Sequence, residues 1–337
     1  MKLKLSVLDQ TPIRRGSTAH EALQDSIQLA KLVDQLGYTR YWLSEHHNIK
    51  TLACAAPEVM IARLASETKN LRFGSGGIML PNHSALKVAE NFRLLEALYP
   101  GRIDLGIGRA PGGDRLTASL LNPSNMFNPK DYIQQIVDLK AFLSGNAEEG
   151  TVYEKVKAIP HIESAPELWM LTSSGESAYI AAHFGMALSY AQFINPTGGA
   201  EAIRAYREKF RPSAELTEPK VSVGIFVFCG DTKEKADQVQ AVMDYRLLSI
   251  ERGKLDETPS YESIKNCRYS QDEMIRIAQN RKRMITGTQA EVKEKIIHLA
   301  QTLDVEEVVV ATFADTLEDR LQSYELISEA FELVTMA

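Results

Sequence analysis

A repeated alternation of buried strands and amphipathic helices is the feature that most limits what this chain can fold into. Short apolar segments recur at intervals of roughly 30 residues in the first part of the chain, and each precedes a segment with helical periodicity. Nearly every residue of these segments is apolar, which is typical of parallel strands that are covered on both faces. Two architectures fit this pattern, an open doubly wound sheet and a closed barrel.

The number of strand-like segments favours the barrel. Eight such segments are found, at residues 3–8, 38–45, 71–81, 102–109, 168–172, 186–190, 221–228 and 305–312. Eight parallel strands separated by helices are typical of a (β/α)8 TIM barrel, and no G-x-G-x-x-G motif follows a strand to support a dinucleotide-binding sheet. We therefore predict one α/β barrel domain over residues 1–337, with a mostly helical insertion at about residues 230–287.

The first helix has clear boundary signals. Thr18 and Glu21 have the spacing of a capping box, and Gly37 follows the last apolar position of the helical pattern. The sequence therefore predicts a helix that begins just after Thr18 and ends just before Gly37.

Charge and cysteine content exclude several classes of function. The 38 Lys and Arg residues against 44 Asp and Glu give a formal charge of −6, and no basic stripe is present, so we expect neither a nucleic-acid nor a membrane partner. Cys54, Cys229 and Cys267 are far apart, which argues against a disulfide framework or a thiolate metal site. The N-terminal segment is too short for a signal peptide, and no run of about 18 apolar residues follows. We therefore expect a cytoplasmic protein.

The second strand ends in Glu45, His46 and His47, and the active site of a parallel barrel lies at this end of its strands. The two-residue period of a strand sends the imidazoles to opposite sides, so only one of them can face a central cavity. An imidazole titrates near neutral pH and suits proton transfer. An adjacent histidine pair at a strand end also occurs as ordinary polar residues of the protein surface, without a role in chemistry. A metal-dependent hydrolase is a further alternative, although adjacent histidines on a strand cannot readily share one metal ion.

The third strand is interrupted by Gly76 and Gly77 just before it ends. Two glycines at this point predict a bulge or a surface that a flat group approaches closely, and the alternative is an ordinary pair of loop glycines. The fourth strand ends in Gly108 and Arg109, again at the end where chemistry is expected.

The fifth strand passes into a helix through Ser173, Ser174, Gly175, Glu176 and Ser177. Free N–H groups, hydroxyl donors and the positive end of the helix dipole meet at such a helix start. The pattern therefore predicts an anion site, with phosphate as the first candidate, and the alternative is an ordinary serine N-cap.

Five stretches, taken in their order and spacing, resemble the bacterial luciferase-like monooxygenase superfamily, also called the flavin-utilizing monooxygenases. They are residues 42–47, 74–81, 101–109, 172–178 with 181–185, and 286–288. The resemblance covers nearly the whole chain. It implies a TIM barrel that binds reduced FMN, supplied by a separate NAD(P)H:flavin reductase. The bound FMN would react with O2 to give a C4a-hydroperoxyflavin that oxidises a small organic substrate.

The resemblance also implies roles for single residues. His46 matches the catalytic imidazole, and Gly76 and Gly77 match the site of a non-prolyl cis peptide beneath the flavin ring. The matching phosphate-binding positions are Arg109, Ser174, Ser177 and the backbone from Ser173 to Gly175. No metal is expected, and a homodimer is expected because relatives commonly dimerise through barrel helices.

One position departs from bacterial luciferase, which has a reactive thiol where this chain has Gly108. Neither light emission nor a long-chain aldehyde substrate follows from the resemblance. An F420-dependent oxidoreductase and a non-catalytic flavin-binding protein remain alternatives on the same fold. The organic substrate is not readable from the sequence.

Overall fold

The computed structural model describes residues 3–124, 128–145, 149–254 and 257–334. Its strands are all parallel in their pairing. They are β1 (Lys4–Asp9), β2 (Arg40–Leu43), β3 (Arg72–Met79), β4 (Ile103–Gly108), β5 (Glu167–Thr172), β6 (Ala187–Ala191), β7 (Val221–Cys229), β8 (Met284–Gly287) and β9 (Glu307–Ala311).

The α-helices alternate with these strands along the chain. They are α1 (Ala19–Gln35), α2 (Pro57–Ala65), α3 (Ala85–Leu98), α4 (Arg115–Leu121), α5 (Pro129–Ser144), α6 (Val152–Lys155), α7 (Gly175–Phe184), α8 (Gly199–Lys209), α9 (Lys233–Glu251), α10 (Tyr261–Ile264), α11 (Gln271–Asn280), α12 (Gln289–Leu303) and α13 (Leu317–Phe331). None of the described helices is both long enough and apolar enough to cross a membrane.

Eight of the strands close into a barrel. Strands β1 to β6 pair in chain order, β6 also pairs with β7, β7 with β9, and β9 with β1. The predicted (β/α)8 barrel is confirmed, and β9 is its eighth barrel strand.

Strand β8 was not predicted, because Met284 and Ile285 are only two apolar residues in a polar part of the expected helical insertion. It pairs with residues 226–229 of β7, beyond the residues 221–224 that pair with β6. Backbone groups of β7 past the end of β6 need new partners, and β8 supplies them. The short strand follows α9, α10 and α11 and leads the chain back to α12.

The lower end of the barrel, where the strands begin, is filled by charged side chains. Buried Arg40 lies 2.7 Å from Asp104 and 2.6 Å from Glu307. The indole of Trp42 donates to Asp104 over 3.0 Å and packs edge-on against Trp169, with 5.2 Å between ring centroids. Because these groups occupy the lower interior, they close the barrel interior at that end.

The start of α1 follows the predicted capping box. The main-chain N–H of Glu21 donates to the Thr18 hydroxyl, and the Glu21 carboxylate accepts the Thr18 N–H over 2.8 Å. The helix ends at Leu36, and Gly37 has a φ of +80°, a left-handed conformation that glycine adopts without steric cost. Both predicted boundaries of α1 are therefore confirmed.

Replacing Thr18 by alanine is expected to lower the free energy of unfolding by about 1 kcal/mol, because the N–H of Glu21 loses the hydroxyl that caps it. Urea denaturation followed by circular dichroism measures the change. Ser119→Ala is the control, since the Ser119 hydroxyl is exposed and donates to the carbonyl of Leu116 in its own turn. A loss that is no larger for Thr18→Ala than for the control would contradict a capping role.

Candidate active site

A cavity of about 320 Å³ opens at the C-terminal end of the barrel. The predicted site residues that line it are His46, Gly76, Gly77, Arg109, Ser173, Ser174 and Ser177. Gly175 does not line it and lies one residue further along, at the start of α7. Residues from four different strand ends therefore meet at one place.

His46 is held in the cavity wall by two neighbours. Its main-chain N–H donates to the carbonyl of Cys54 over 3.2 Å, and its Nδ1 lies 3.1 Å from the hydroxyl of Ser44. Burial lowers the pKa of His46 to about 4, although the charge of Glu45 acts in the opposite direction. At neutral pH the ring is therefore uncharged, and Nε2, which bonds to no described side chain, is free to exchange a proton with a ligand.

Glu45 and His47 point elsewhere, as the alternation along the strand predicts. Buried Glu45 accepts hydrogen bonds from His47 over 2.6 Å, from His83 over 2.9 Å and from the N–H of Met79 over 2.9 Å. Burial alone would raise the pKa of Glu45, but the bonds from the two histidines hold it below its usual range. Glu45 therefore ties the end of β2 to the loop after β3 and positions Met79, which lines the cavity.

The metal-hydrolase alternative needs Glu45, His46 and His47 to converge on one point. Only His46 lines the cavity, while the other two bond to each other. In the described ranges, no group of three or more His, Cys, Asp or Glu side chains is arranged to hold a metal ion.

Gly76 and Gly77 form one side of the cavity, and the peptide bond between them is cis. The register of β3 against β4 shifts between Gly76 and Ile78, so the predicted bulge is present. A Cβ on Gly76 would lie 2.7 Å from the Leu8 side chain, and one on Gly77 would lie 2.7 Å from the carbonyl of Gly106. Neither position has room for a side chain, and the backbone itself is the surface that a ligand meets.

The opposite end of the cavity is polar and suited to an anion. Ser174 is the N-cap of α7, but its side chain makes no capping hydrogen bond. The main-chain N–H of Ser174 donates to the Thr172 hydroxyl over 3.0 Å, and that hydroxyl donates to the carbonyl of Ser174 over 2.8 Å. The turn is thus fixed by Thr172, while the Ser174 hydroxyl and the first N–H groups of α7 remain available to a ligand.

Arg109 lies at the end of β4 beside this helix start. It pairs with Glu176 over 2.8 Å, and both side chains are partly exposed. Because a guanidinium can bind two acceptors at once, Arg109 can contact an anion and keep its bond to Glu176. Glu176 therefore orients Arg109 toward the first turn of α7.

The comparisons with known proteins agree with this geometry. Residues 1–306 match the family model for luciferase-like monooxygenase. The chain belongs to the luciferase-like monooxygenase family. The resemblance seen in the sequence is thereby confirmed.

Members of the luciferase-like monooxygenase family that are similar over their full length include proteins of known and unknown activity. YwcH of Bacillus subtilis, an uncharacterized protein, is 47% identical over 98% of this chain and 99% of its own length. The N-acetyl-S-alkylcysteine monooxygenase of B. subtilis is 33% identical over 97% of this chain and 98% of its own. The crystal structure of apo-MsnO8 has a TM-score of 0.92 and 35% identity, covering 99% of this chain and all of that one.

Several contacts of this luciferase-like site could not be predicted from its motifs. Ser44 was missed, although its position two residues before His46 places it on the same face of the strand. The pairing of His83 with Glu45 joins residues 38 positions apart and has no signal in the sequence.

Gly108, the position that departs from bacterial luciferase, also lines the cavity. A Cβ at this position would lie 3.3 Å from the sulfur of Met79.

Proposed function

We propose that this chain is a flavin-dependent monooxygenase that uses reduced FMN and O2 to oxidise a small organic molecule. The observation that carries the proposal is the meeting of an anion-binding helix start, a side-chain-free glycine surface and an uncharged imidazole in one cavity. A phosphate-tailed planar cofactor needs the first two features, and proton transfer needs the third.

The residues present fit FMN. Arg109, Ser173, Ser174 and Ser177 would hold its phosphate, and the backbone of Gly76–Gly77 would lie against its ring, where no Cβ interferes. When bound, reduced FMN supplies the two electrons by which one oxygen atom of O2 enters the substrate while the other leaves as water.

The chain's own residues provide proton transfer and exclusion of water. Nε2 of His46 accepts or returns a proton, and Ser44 holds the ring in place through Nδ1. Leu8, Trp42 and Phe193 contribute apolar walls, which keep water away from reactive oxygen species.

We also propose that reduced FMN comes from a separate NAD(P)H:flavin reductase, as the resemblance to the flavin-utilizing monooxygenases implies. We further propose that the chain forms a homodimer, and light scattering of the purified protein measures its molecular mass.

The functional test is oxygen consumption with reductase-supplied FMN and a panel of organic substrates, with ¹⁸O₂ to trace the oxygen into the product. Labelled product supports a monooxygenase, whereas flavin binding without substrate-dependent oxygen uptake would identify a non-catalytic flavin-binding protein.

Replacing Arg109 by methionine is expected to weaken binding of reduced FMN by about tenfold or more, because the phosphate loses a charge-assisted hydrogen bond. Anaerobic fluorescence titration measures the affinity. Riboflavin, which lacks the phosphate, is the ligand control and should bind both proteins alike. Glu176→Gln is the control variant: it removes the competing carboxylate but keeps Arg109, and it should bind FMN at least as well as the parent protein. Equal FMN affinities for Arg109→Met and the parent would place the phosphate elsewhere.

A further inference from the structure

Four arginine side chains are buried in the described parts of the chain: Arg40, Arg93, Arg246 and Arg320. Three of them have partners that satisfy the guanidinium. Arg40 pairs with two carboxylates, Arg320 pairs with Asp9 over 2.7 Å, and Arg93 donates to three main-chain carbonyls. These three follow the general rule that buried polar groups are hydrogen-bonded.

Arg246, on α9, is the exception. It is 5% exposed, its Nη1 has no hydrogen-bond partner among the described residues, and within the same ranges it forms no ion pair. Its guanidinium carbon lies 4.2 Å from the centre of the Phe313 ring, and burial lowers the pKa of Arg246 to about 10. A stacked ring stabilises a cation only partly, so a buried guanidinium without an acceptor is costly to the folded protein.

Nearby carboxylates are committed to other groups. Asp244, two residues before Arg246 on α9, pairs with Arg281 over 2.7 Å. Asp315 shares a small cavity with Arg246 but accepts the N–H of Tyr261 over 2.8 Å. Arg14, which lines the same cavity, pairs with Asp25 over 2.8 Å. Among the described residues, no carboxylate is therefore paired with Arg246.

Arg246 lies behind an aromatic layer that reaches the proposed active site. Phe313, which stacks on Arg246, contacts Phe226 at 5.5 Å between centroids, and Phe226 contacts Phe193 at 5.1 Å. Phe193 lines the large cavity together with His46. Although burial is the main cause of the low pKa of His46, the positive charge of Arg246 also contributes, so the two side chains are within electrostatic reach.

We propose that Arg246 binds the carboxylate of the substrate, and that the substrates are small organic acids whose apolar part lies along Phe193 and Phe313. A carboxylate offers two acceptors that match the guanidinium fork, and the aromatic layer offers an apolar surface between that fork and His46. This inference rests on the proposed function, because it assigns the substrate class of the same site.

The cavity beside Arg246 has a volume of only about 20 Å³, close to the space that one water molecule occupies. A carboxylate therefore fits only if residues that line this cavity shift, and Pro12, Thr258 and Pro259 are three of them. The Thr258 hydroxyl donates to the carbonyl of Ile13 over 2.5 Å, which links two residues beside this cavity.

The test uses three pairs of probes, each a carboxylate and its primary amide: butyrate and butyramide, hexanoate and hexanamide, octanoate and octanamide. Isothermal calorimetry measures their binding to the full chain with FMN present in excess, so that the phosphate site is filled. At least one carboxylate is expected to bind tenfold or more tightly than its amide. Arg246→Gln should abolish that preference, and Arg246→Lys should restore part of it. Arg276→Gln is the matched control, since Arg276 is exposed on α11 and already paired with Glu251.

The inference is wrong if no carboxylate is preferred over its amide, or if Arg246→Gln keeps the preference. If Arg246→Gln does not fold, the parent protein and Arg246→Lys decide: the preference should be smaller in the lysine variant than in the parent protein, and an undiminished preference in Arg246→Lys would contradict the inference. A parallel titration with reduced FMN keeps the two proposals apart. Absence of FMN binding would overturn the proposed function, while the effect of Arg246→Gln on carboxylate affinity would still locate the acid-binding group.

Discussion

Replacing His46 by glutamine is expected to lower the rate of substrate oxygenation by about 10²- to 10⁴-fold, the usual contribution of a positioned acid or base. Glutamine keeps a polar group near the position of Nε2 but cannot exchange a proton at neutral pH. Oxygenated product is measured by mass spectrometry with reductase-supplied FMN, and flavin affinity is measured separately by fluorescence. A turnover within twofold of the parent rate would remove His46 from the chemistry.

Ser44→Ala is the matched control for this variant. It keeps the imidazole and removes only the hydroxyl that lies 3.1 Å from Nδ1. If the role of Ser44 is to orient the ring, its loss should slow turnover by about tenfold or less, in line with the net contribution of one hydrogen bond. If Ser44→Ala slows turnover as much as His46→Gln does, proton transfer depends on Ser44 and His46 together and not on the imidazole alone.

The pH dependence of turnover tests the state of His46. Since burial lowers its pKa to about 4, the uncharged base form persists as the pH falls through 6.5, where an ordinary histidine gains its proton. Protonation of His46 should therefore not lower the turnover rate of the parent protein between about pH 8 and pH 6. Activity that depends on the base form should fall only as the pH approaches 4. A half-maximal loss near pH 6.5 that is absent in His46→Gln would show that the imidazole is in contact with water.

Replacing Arg40 by methionine is expected to lower the free energy of unfolding by about 3–5 kcal/mol, because two buried carboxylates lose the charge between them. Arg40 contacts Asp104 over 2.7 Å and Glu307 over 2.6 Å, and both carboxylates are buried at the lower end of the barrel. Methionine fills a similar volume, so the effect reports the lost ion pairs more than a cavity. Urea denaturation measures the change.

Lys233→Met is the control for charge removal. Lys233 pairs with Asp237 on the exposed face of α9, and surface pairs of this kind contribute little to stability. If Arg40→Met costs no more than this control, the charged layer does not hold the lower end of the barrel together.

The barrel and most of the proposed site residues could be predicted because the relevant information is local. Strand periodicity marks the eight barrel strands, and parallel strands bring their C-terminal ends to one rim, so that His46, Gly76, Arg109 and Ser174 meet without any contact having to be known. The alternation along β2 predicts that only one of the two histidines faces the cavity, the family resemblance points to His46, and His46 lines the cavity while His47 does not.

Features that depend on distant partners could not be predicted. Strand β8 exists because β7 extends past β6, which a four-residue segment does not reveal by itself. The bonds to Glu45 come from Met79, the last residue of β3, and from His83 in the segment that follows it. The unpaired state of Arg246 is visible only once the partners of its neighbours are known.

The most direct measurement of the central claim is an anaerobic fluorescence titration of the full chain with reduced FMN, reduced riboflavin and reduced F420. If the cavity is a flavin site with its phosphate held by Arg109 and the start of α7, reduced FMN should bind at least tenfold more tightly than riboflavin and more tightly than F420. Equal affinities for FMN and riboflavin, or tighter binding of F420, would contradict it.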